Sequence, residues 1–332
     1  MRALLCLSAV CLLPAATCYS DPINGKAEND GSATAPWPRL ADMVASKLIQ
    51  QVHAGDTLLL RSGNHGDVSL NGKNTELITI AGEPGATPQI ERLMVDGDKW
   101  LILGLSISAS FAKEPYKGNM AIIGEHSASS EITLQDCFIY SALNHDGWTA
   151  KQWMEANSGI LMGRNGKNLT VRNTYVLNTR FGIAMCSPDS LVEGSVVSDY
   201  SGDALRMTRD GETVRCNVFK NAYVSDKDGD PNHDDLVQGF LFNKGTGTIR
   251  NFTVKDNILI GNEDPKQPFA HVPQGIGMFD GPLINFIITG NVIHTAHWHG
   301  ISLYDAQGCT INDNVCFTKT TTGPMPWIMF GS

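Results

Sequence analysis

The chain has 332 residues, of which 34 are Asp or Glu and 25 are Lys or Arg, so its formal net charge at pH 7 is −9. A chain this acidic is a poor general binder of nucleic acid or of anionic membranes. Charged residues make up only 18% of it, while 42% are hydrophobic and 33 are glycine, which excludes a disordered chain, a coiled coil and a bundle of long helices. The composition favours one large domain with many short strands and turns.

The amino terminus has the pattern of a secretory signal. Met1-Arg2 is followed by an apolar run over Ala3–Ala16. This run is too short to span a bilayer, and no later segment approaches the length of a membrane span. We therefore expect residues 1–20 to be a signal peptide, residues 21–332 to form the folded domain, and the protein to be secreted or periplasmic. A lipid anchor at Cys18 and a buried amino-terminal helix are the alternatives.

The cysteines do not form a metal-binding pattern. Those beyond the signal region are Cys137, Cys186, Cys216, Cys309 and Cys316. Their number is odd, and no Cys-x-x-Cys or Cys/His spacing typical of zinc occurs, so we expect no structural metal site. We predict that Cys186 and Cys216 are buried thiols in neighbouring repeats rather than partners in a required disulfide.

A short pattern recurs along the chain: two or three apolar or β-branched residues, a turn residue that is often Asn or Asp, and two more apolar residues. It starts at Thr133, Thr170, Leu191, Thr213, Thr253, Ile287 and Thr310, in steps of 37, 21, 22, 40, 34 and 23 residues. A second pattern keeps pace with it, starting at Gly159, Gly182, Gly239, Gly275 and Gly300. A repeat of about 22 residues with two or three short strands is typical of one coil of a parallel β-helix, in which like residues stack between coils.

The region before the repeats predicts a cap. Residues 38–52 place apolar side chains, among them Leu40, Met43 and Leu48, on one helical face. We expect a short amphipathic helix here that covers the open end of the stack.

The segment that follows carries a family resemblance. AGDTLLLRSGNHGDVSLNGKN from Ala54, then LITIAGEPGATPQI and WLILGLSIS, is similar to the start of right-handed parallel β-helix polysaccharide lyases, notably the alginate lyase and chondroitinase B family. The resemblance covers about residues 50–110. It implies an all-β fold, a single right-handed parallel β-helix with an amino-terminal capping helix. The fold also serves pectinases, epimerases and phage tailspikes, so the reaction has to be argued from the site.

The insertions between repeats indicate the functional face, because loops on a rigid solenoid collect there. Residues 228–238 are the densest polar cluster, with four Asp, one His and Gln238. Cleaving a uronate polymer by β-elimination needs a base at C5, charge stabilisation at the carboxylate and an acid at the leaving oxygen. We expect His233 to transfer the proton, with Asp230 and Asp234 tuning it. A calcium site and a solvated turn are the alternatives for this loop, and no other cofactor is expected.

The same loop resembles the Asp-Pro-His-Asp/Glu motif of mannuronan C5-epimerases. Asp230-Pro231 and His233-Asp234 match the motif, with Asn232 inserted between the two pairs. The resemblance implies that these His and Asp residues belong to a catalytic group, together with a second Asp one coil later, for which Asp280 is the candidate. The Tyr of that group has two candidates, Tyr223 and Tyr304.

A polar column is predicted beside this loop. Gln238, Gln274 and His299 each precede the glycine of a repeat strand, so stacked coils would align them at about 4.8 Å per coil. Beside Trp298 this column predicts a subsite for a sugar. A ladder of amides that holds the coils together is the alternative.

Arg206 lies on the corresponding strand one coil before the His233 loop. An arginine within a strand of a buried stack must face a groove or pair with an acid. We expect Arg206 to hold a substrate carboxylate, or to pair with Asp203 or an Asp of the loop.

These observations favour a secreted, monomeric enzyme that cleaves an acidic polysaccharide or oligosaccharide by β-elimination. The alternatives are a C5-epimerase, a glycoside hydrolase of the pectinase type with two carboxylates, and a non-catalytic polysaccharide-binding β-helix. The sequence alone does not separate them.

Overall fold

The computed structural model describes residues 15–225, 234–241, 248–264, 266–269, 271–320 and 322–331. Within these ranges the chain winds into successive coils, each of which contributes up to three short strands. Strands one coil apart pair in parallel and form three stacks, named here face 1, face 2 and face 3 in the order in which the chain crosses them. The predicted parallel β-helix is confirmed.

Faces 1 and 2 share two long strands near the amino terminus, Asp67–Gly82 and Arg92–Leu103, which run through face 1 into face 2. Face 1 continues with Asn119–Ile123, Ser158–Met162, Ile183–Met185, Leu205–Met207, Asp235–Gly239, Gln274–Met278, His299–Leu303 and Trp327–Phe330. Face 2 also contains Thr17–Ser20, Thr57–Leu60, Ser129–Gln135, Gly166–Lys167, Thr170–Arg172, Leu191–Glu193, Thr213–Arg215, Thr253–Lys255, Ile287–Thr289 and Thr310–Asn312.

Face 3 is a separate sheet that closes each coil. Its strands are Gly63–Asn64, Pro88–Ile90, Ser106–Ser108, Phe138–Tyr140, Tyr175–Thr179, Val196–Tyr200, Val218–Ala222, Ile258–Ile260, Val292–His294 and Val315–Phe317. A small sheet of two-residue strands lies in the turns between faces 1 and 2 and consists of Ile249–Arg250, Leu283–Ile284 and Ala306–Gln307.

The predicted repeats lie one above another on face 2. Thr133 pairs with Thr170, Thr170 with Leu191, and the pairing continues to Thr310 through every predicted start. The residue after each start points into the core, and the first six of these are fully buried: Leu134, Val171, Val192, Val214, Val254 and Ile288. The repeat of about 22 residues is therefore one coil, and its stacked aliphatic column forms much of the core.

The turn after each face 2 strand has a left-handed residue. The residues there are Asp136, Asn173, Gly194, Cys216, Asp256, Gly290 and Asp313, with φ between 47° and 70°. Asn, Asp and Gly tolerate this conformation best. Cys216 occupies the same position, so its thiol points outward and is exposed. The prediction that Cys216 is buried is wrong, whereas Cys186 is buried as predicted.

An amide ladder holds the later coils at the corner between faces 2 and 3. The side chain of Asn217 donates to Asn257 Oδ1 at 3.0 Å, Asn257 donates to Asn291 at 2.9 Å, and Asn291 donates to Asn314 at 2.9 Å. Asn217, Asn257 and Asn291 are almost completely buried, at 1%, 0% and 0% exposure. Buried amides whose donors and acceptors are paired in this way join neighbouring coils rigidly.

The amino-terminal region differs from the prediction in detail. The helix expected over 38–52 consists of an α-helix, Leu40–Ala45, and a 3₁₀ helix, Leu48–Gln51, separated by Lys47 with φ of 63°. Its capping role stays a prediction. The strand Thr17–Ser20 overlaps the segment predicted as a signal, so the boundary at residue 20 also stays a prediction.

Two further short helices lie in loops. They are the 3₁₀ helix Ala109–Phe111 and the α-helix Ala150–Glu155, which begins at a capping box between Thr149 and Gln152. Within the described ranges, no helix is both long and apolar enough to cross a membrane.

Candidate functional site

The candidate site lies where the loops from face 3 enter face 1. The predicted column of Gln238, Gln274 and His299 is only partly present. In the register of the strands, Gln238 lies opposite Arg206 of the preceding coil and opposite Gly277 of the next coil. Gln238 therefore lies three residues further along its strand than the sequence pattern indicated, and its place in the column is corrected.

Asp235 takes the position that was predicted for Gln238. It lies opposite Gln274 in the next coil. The register is set by Val237, which is fully buried and aligned with Leu205 of the preceding coil, because a shift of one residue would turn this side chain out of the core. The row of polar side chains at the start of face 1 is thus Asp235, Gln274 and His299, named here the polar row.

Gln274 and His299 form the best-defined contact of the polar row. Gln274 Oε1 and His299 Nδ1 are 2.7 Å apart, and Gln274 is only 7% exposed. An amide oxygen accepts but does not donate, so this contact places the proton of a neutral imidazole on Nδ1. Nε2 is then the basic nitrogen of the ring. Gln274 therefore fixes both the orientation and the tautomer of His299.

Three buried carboxylates lie in the polar row or next to it. Asp203, Asp234 and Asp235 are 1%, 7% and 0% exposed. The backbone N–H of Asp235 donates to Asp203 Oδ1 at 2.9 Å, and the carbonyl of Asp234 accepts from the backbone N–H of Gln274 at 3.0 Å. Burial raises the pKa of the nearby Tyr200 phenol well above its usual value, and these carboxylates raise it further. Tyr200 therefore stays protonated beside the cluster.

Arg206 pairs with Asp203, one of the partners that the sequence offered. Its Nε donates to Asp203 Oδ2 at 2.5 Å, although residues 203 and 206 would face opposite sides of a regular strand. Asp203 precedes the strand Leu205–Met207, so strand alternation does not apply to it. The guanidinium carbon lies 3.7 Å from the centre of the Phe181 ring, and 23% of the side chain is exposed. The contact to Asp203 uses Nε, so the terminal nitrogens are the groups suited to an anionic ligand.

Phe279 is a site residue that the sequence reasoning missed. Its ring centre lies 5.2 Å from that of His299 and 5.3 Å from that of Tyr304. A Cβ atom on Gly277 would lie 2.6 Å from both Asp235 Oδ1 and the Phe279 ring, so only glycine leaves room for both groups. The signal in the sequence was GIGMFDG, in which Phe279 directly follows the strand Gln274–Met278, two residues after Gly277.

The remaining predicted residues border this region. Trp298 is 53% exposed, with its ring centre 5.9 Å from that of Trp327. Asp280 is half-buried and directly follows Phe279. His233 and Asp230 lie outside the described residues, so their predicted roles stay predictions. Among the residues that the structure describes, no group of three or more His, Cys, Asp or Glu side chains could hold a metal ion.

A cluster of aromatic rings lies along the same loops. It consists of His145, Trp148, Trp153, Tyr223 and Phe269, and is named here the aromatic cluster. The rings of Trp153 and Tyr223 stack at 4.7 Å with 19° between their planes. Burial raises the pKa of the neighbouring Asp199 carboxyl, whose Oδ1 lies 3.9 Å from His145 Nε2. The helix Ala150–Glu155 carries Trp153 into this cluster.

Comparison with known proteins identifies the architecture. The family model described as "Right handed beta helix region" matches residues 158–323, which is half of the chain. No curated protein matches the sequence significantly.

Solved structures share the fold at low sequence identity. An alginate lyase from Paenibacillus sp. str. FPU-7 superposes with a TM-score of 0.61 and 12% identity, over 96% of this chain and 99% of the lyase. A mannuronic acid specific polysaccharide family 6 lyase from human gut microbiota gives 0.53 and 12%, over 94% and 78%. Pectate lyase Pel9A gives 0.52 and 14%, over 95% and 82%. At these identities the likeness shows the fold alone.

Proposed function

Because the chain belongs to the right-handed β-helix family, we propose that it is a secreted carbohydrate-active enzyme that cleaves an acidic, uronate-containing polysaccharide by β-elimination. The observation that carries the proposal is the contact of 2.7 Å between Gln274 and His299 on the polar row. An oriented histidine beside aromatic rings supplies the base that C5 proton abstraction needs. That three structures with this fold are an alginate lyase, a pectate lyase and a mannuronic acid specific lyase supports the choice of substrate.

His299 is the proposed base. With Gln274 accepting from Nδ1–H, the lone pair of Nε2 can remove the C5 proton of a uronate whose ring lies against Phe279. The carbanion that forms is delocalised into the carboxylate, so a cation at the carboxylate lowers the barrier. Arg206 lies three coils before Ser302 of the His299 strand, at about 4.8 Å per coil, so its guanidinium is suited to hold the carboxylate of another unit of the polymer in a bidentate geometry rather than that of the unit at His299.

The β-elimination also needs a proton for the leaving oxygen. Tyr304 is the described candidate, since it is 38% exposed and its ring lies 6.5 Å from that of His299. His233 is the second candidate, because it directly precedes Asp234, whose carbonyl is bonded to Gln274. The C5–H bond and the bond from C4 to the leaving oxygen both break, a C4–C5 double bond forms, and the leaving oxygen ends as a hydroxyl.

One screen tests the reaction. The protein is incubated with alginate, pectate and other uronate polymers, and ultraviolet absorbance, reducing ends and NMR spectra of the products are recorded. A lyase produces absorbance and reducing ends together. Reducing ends without absorbance would show a hydrolase, altered sugar signals without cleavage would show an epimerase, and no change with any polymer would favour a non-catalytic binding protein.

Variants assign the base. Replacing a general base lowers the rate by about 10²- to 10⁴-fold, so the rate of His299→Ala on a confirmed substrate should fall by this factor. His233→Ala should retain more activity than His299→Ala, whether His233 is the acid or takes no part in the reaction. A His299→Ala variant with near-normal turnover and an inactive His233→Ala variant would move the base to His233, as the sequence alone predicted.

Secretion and the oligomeric state are part of the same proposal. Cleavage of the apolar segment before the first strands should leave the mature protein in the medium or periplasm, as a monomer. Amino-terminal sequencing of the exported protein and its mass by light scattering test both statements. Retention of the unprocessed chain in the cytosol would refute export.

A further inference from the structure

A cavity of about 520 Å³ lies beside the polar row, between the loops that lead into the strands Gln274–Met278 and His299–Leu303. Its walls include Phe269, His271, Pro273, His294, Thr295 and Lys319. This volume falls in the range of about 300–1,000 Å³ that is typical of small-molecule sites. The proposed reaction uses none of these side chains, so the cavity is available to a ligand group other than the one at His299.

Among the described residues that line the cavity, Lys319 is a cation without a bonded acidic partner. Glu263 also lines it, but its carboxylate accepts from Lys220 at 2.8 Å and from Asn221 at 3.1 Å. The hydrogen bond from Lys220 lowers the pKa of Glu263, and the charge of Lys319 lowers it further, so Glu263 stays ionised with Lys220 as its bonded cation. Among the described residues Lys319 forms no ion pair, and its ammonium therefore favours an anionic ligand.

The other walls suit the body of a sugar. Burial lowers the pKa of His294, and Lys319 lowers it further, so His294 is a neutral hydrogen-bonding group rather than a second cation. Phe269 offers a ring face, and Tyr223 of the aromatic cluster packs against it at 6.5 Å between ring centres. Pro273 adds apolar surface. One cation, one neutral imidazole and an aromatic face together match a carboxylate, hydroxyls and the C–H face of a pyranose.

The cavity is joined to the polar row by a chain of hydrogen bonds. Thr295 Oγ1 donates to the carbonyl of Pro273 at 2.6 Å and accepts from the backbone N–H of His297 at 3.1 Å. His297 Nδ1 in turn accepts from the backbone N–H of His299 at 3.0 Å. The same short segment therefore forms a wall of the cavity and carries His299.

We propose that this cavity is a separate binding site for one carboxylated pyranose, a hexuronate, with Lys319 on the carboxylate and Phe269 on the ring. The inference rests on the proposed function in one respect, that the hexuronate is a unit of the polymer cleaved at His299. In that case the cavity holds a neighbouring unit, and it contributes to binding rather than to the chemical step.

The test uses single sugars, which bind without being cleaved. D-mannuronate, D-galacturonate and D-glucuronate are titrated into the full chain by ligand-observed NMR, with D-mannose, D-galactose and D-glucose as neutral counterparts. At least one uronate should bind more tightly than its neutral counterpart. Lys319→Ala should weaken this binding by about two- to fivefold, the range for one exposed charge pair. Phe269→Ala should weaken the binding of the uronate through loss of the ring contact.

Two controls make the result specific. Lys255→Ala removes the same charge from an exposed position on face 2 and should bind like the wild type. His299→Ala should retain the part of the uronate binding that Lys319→Ala removes, because the cavity does not include His299. The proposal is overturned if no uronate binds the wild type, if neutral sugars bind equally well, if Lys319→Ala is unchanged, or if His299→Ala alone abolishes binding.

Polymer cleavage separates this inference from the proposed function. If the protein binds uronates through Lys319 but cleaves no uronate polymer, the binding site is supported and the lyase assignment is refuted. If the protein cleaves a polymer, its KM is unchanged in Lys319→Ala and no single uronate binds, the lyase assignment is supported and the binding site is refuted.

Discussion

Replacing Gln274 by Glu tests whether its hydrogen bond prepares His299 for proton transfer. The two residues are 2.7 Å apart, and Glu has nearly the same shape as Gln, so the variant places a carboxylate at the same contact. Opposite charges about 4 Å apart attract by about 1 kcal/mol in water and about 4 kcal/mol at an effective dielectric constant of 20. Because 1.36 kcal/mol corresponds to one pKa unit, Gln274→Glu should raise the pKa of the His299 imidazole by about 1 to 3 units relative to the wild type.

The sign of the kinetic effect follows from the role of the ring. A base must be unprotonated, so a raised imidazole pKa should move the acidic limb of kcat/KM to higher pH by the same interval. The pKa itself is measured by NMR titration, with the His299 signal assigned through its loss in His299→Ala. Gln274→Ala serves as the companion variant, because it removes the orienting contact without adding charge and should lower turnover without the alkaline shift.

Gln51→Glu is the matched control, since it adds the same charge at an exposed position in the amino-terminal 3₁₀ helix. It should leave both the titration and the pH profile unchanged. If the imidazole pKa rises in Gln274→Glu while the acidic limb of kcat/KM stays in place, His299 is not the base, and His233 becomes the candidate.

Three further predictions concern stability and reactivity. Asn257→Ala should lower the free energy of unfolding, measured by urea titration, by about 2–4 kcal/mol, because buried partners in both neighbouring coils lose their hydrogen bonds. Asn314→Ala, at the partly exposed end of the ladder, should lower it by less. Arg206→Met should cost about 2–4 kcal/mol by the same measurement, since the buried carboxylate of Asp203 loses its cation; an unchanged midpoint would mean that other contacts satisfy Asp203. Cys216 should react with iodoacetamide in the folded protein, while the buried thiols react only after unfolding; mass spectrometry of the labelled peptides decides this, and slow labelling of Cys216 would contradict its exposed position.

The coil repeat was predictable because the local sequence of each coil has the same pattern. Each face 2 strand repeats the same order of β-branched, apolar and turn residues, so the seven starts found by pattern are the seven that pair. The left-handed turn was visible for the same reason, since Asn, Asp or Gly fills it in six of the seven coils. Cys216 escaped because cysteine is among the residue types most often buried, although its neighbours Arg215 and Asn217 are polar, and its φ of 57° turns its side chain outward.

The polar row was harder to predict because two registers fit one segment. GFLF from Gly239 has the form of a repeat strand, but the chain uses the five residues Asp235–Gly239. Leu236 and Val237 are both fully buried there, and this burial outweighs the likeness of GFLF to its neighbours. The choice moved Asp235 into the row and Gln238 out of it. The contacts of Phe279 and Phe269 depend on side-chain directions in loops, which a repeat pattern does not contain.

Asn257 and Gln274 show how the fold separates support from chemistry. Both are buried amides, at 0% and 7% exposure. The amide of Asn257 bonds to the asparagines of the coils on both sides and to the Val214 carbonyl, so its loss removes contacts that hold the stack together. The side chain of Gln274 instead bonds to the ring of His299. The same chemical group should therefore affect stability at Asn257 and the pH dependence of activity at Gln274. Both quantities can be measured for variants of both residues. If Gln274 variants keep the stability of the wild type, the ladder and the aliphatic column hold the coils without help from the start of face 1.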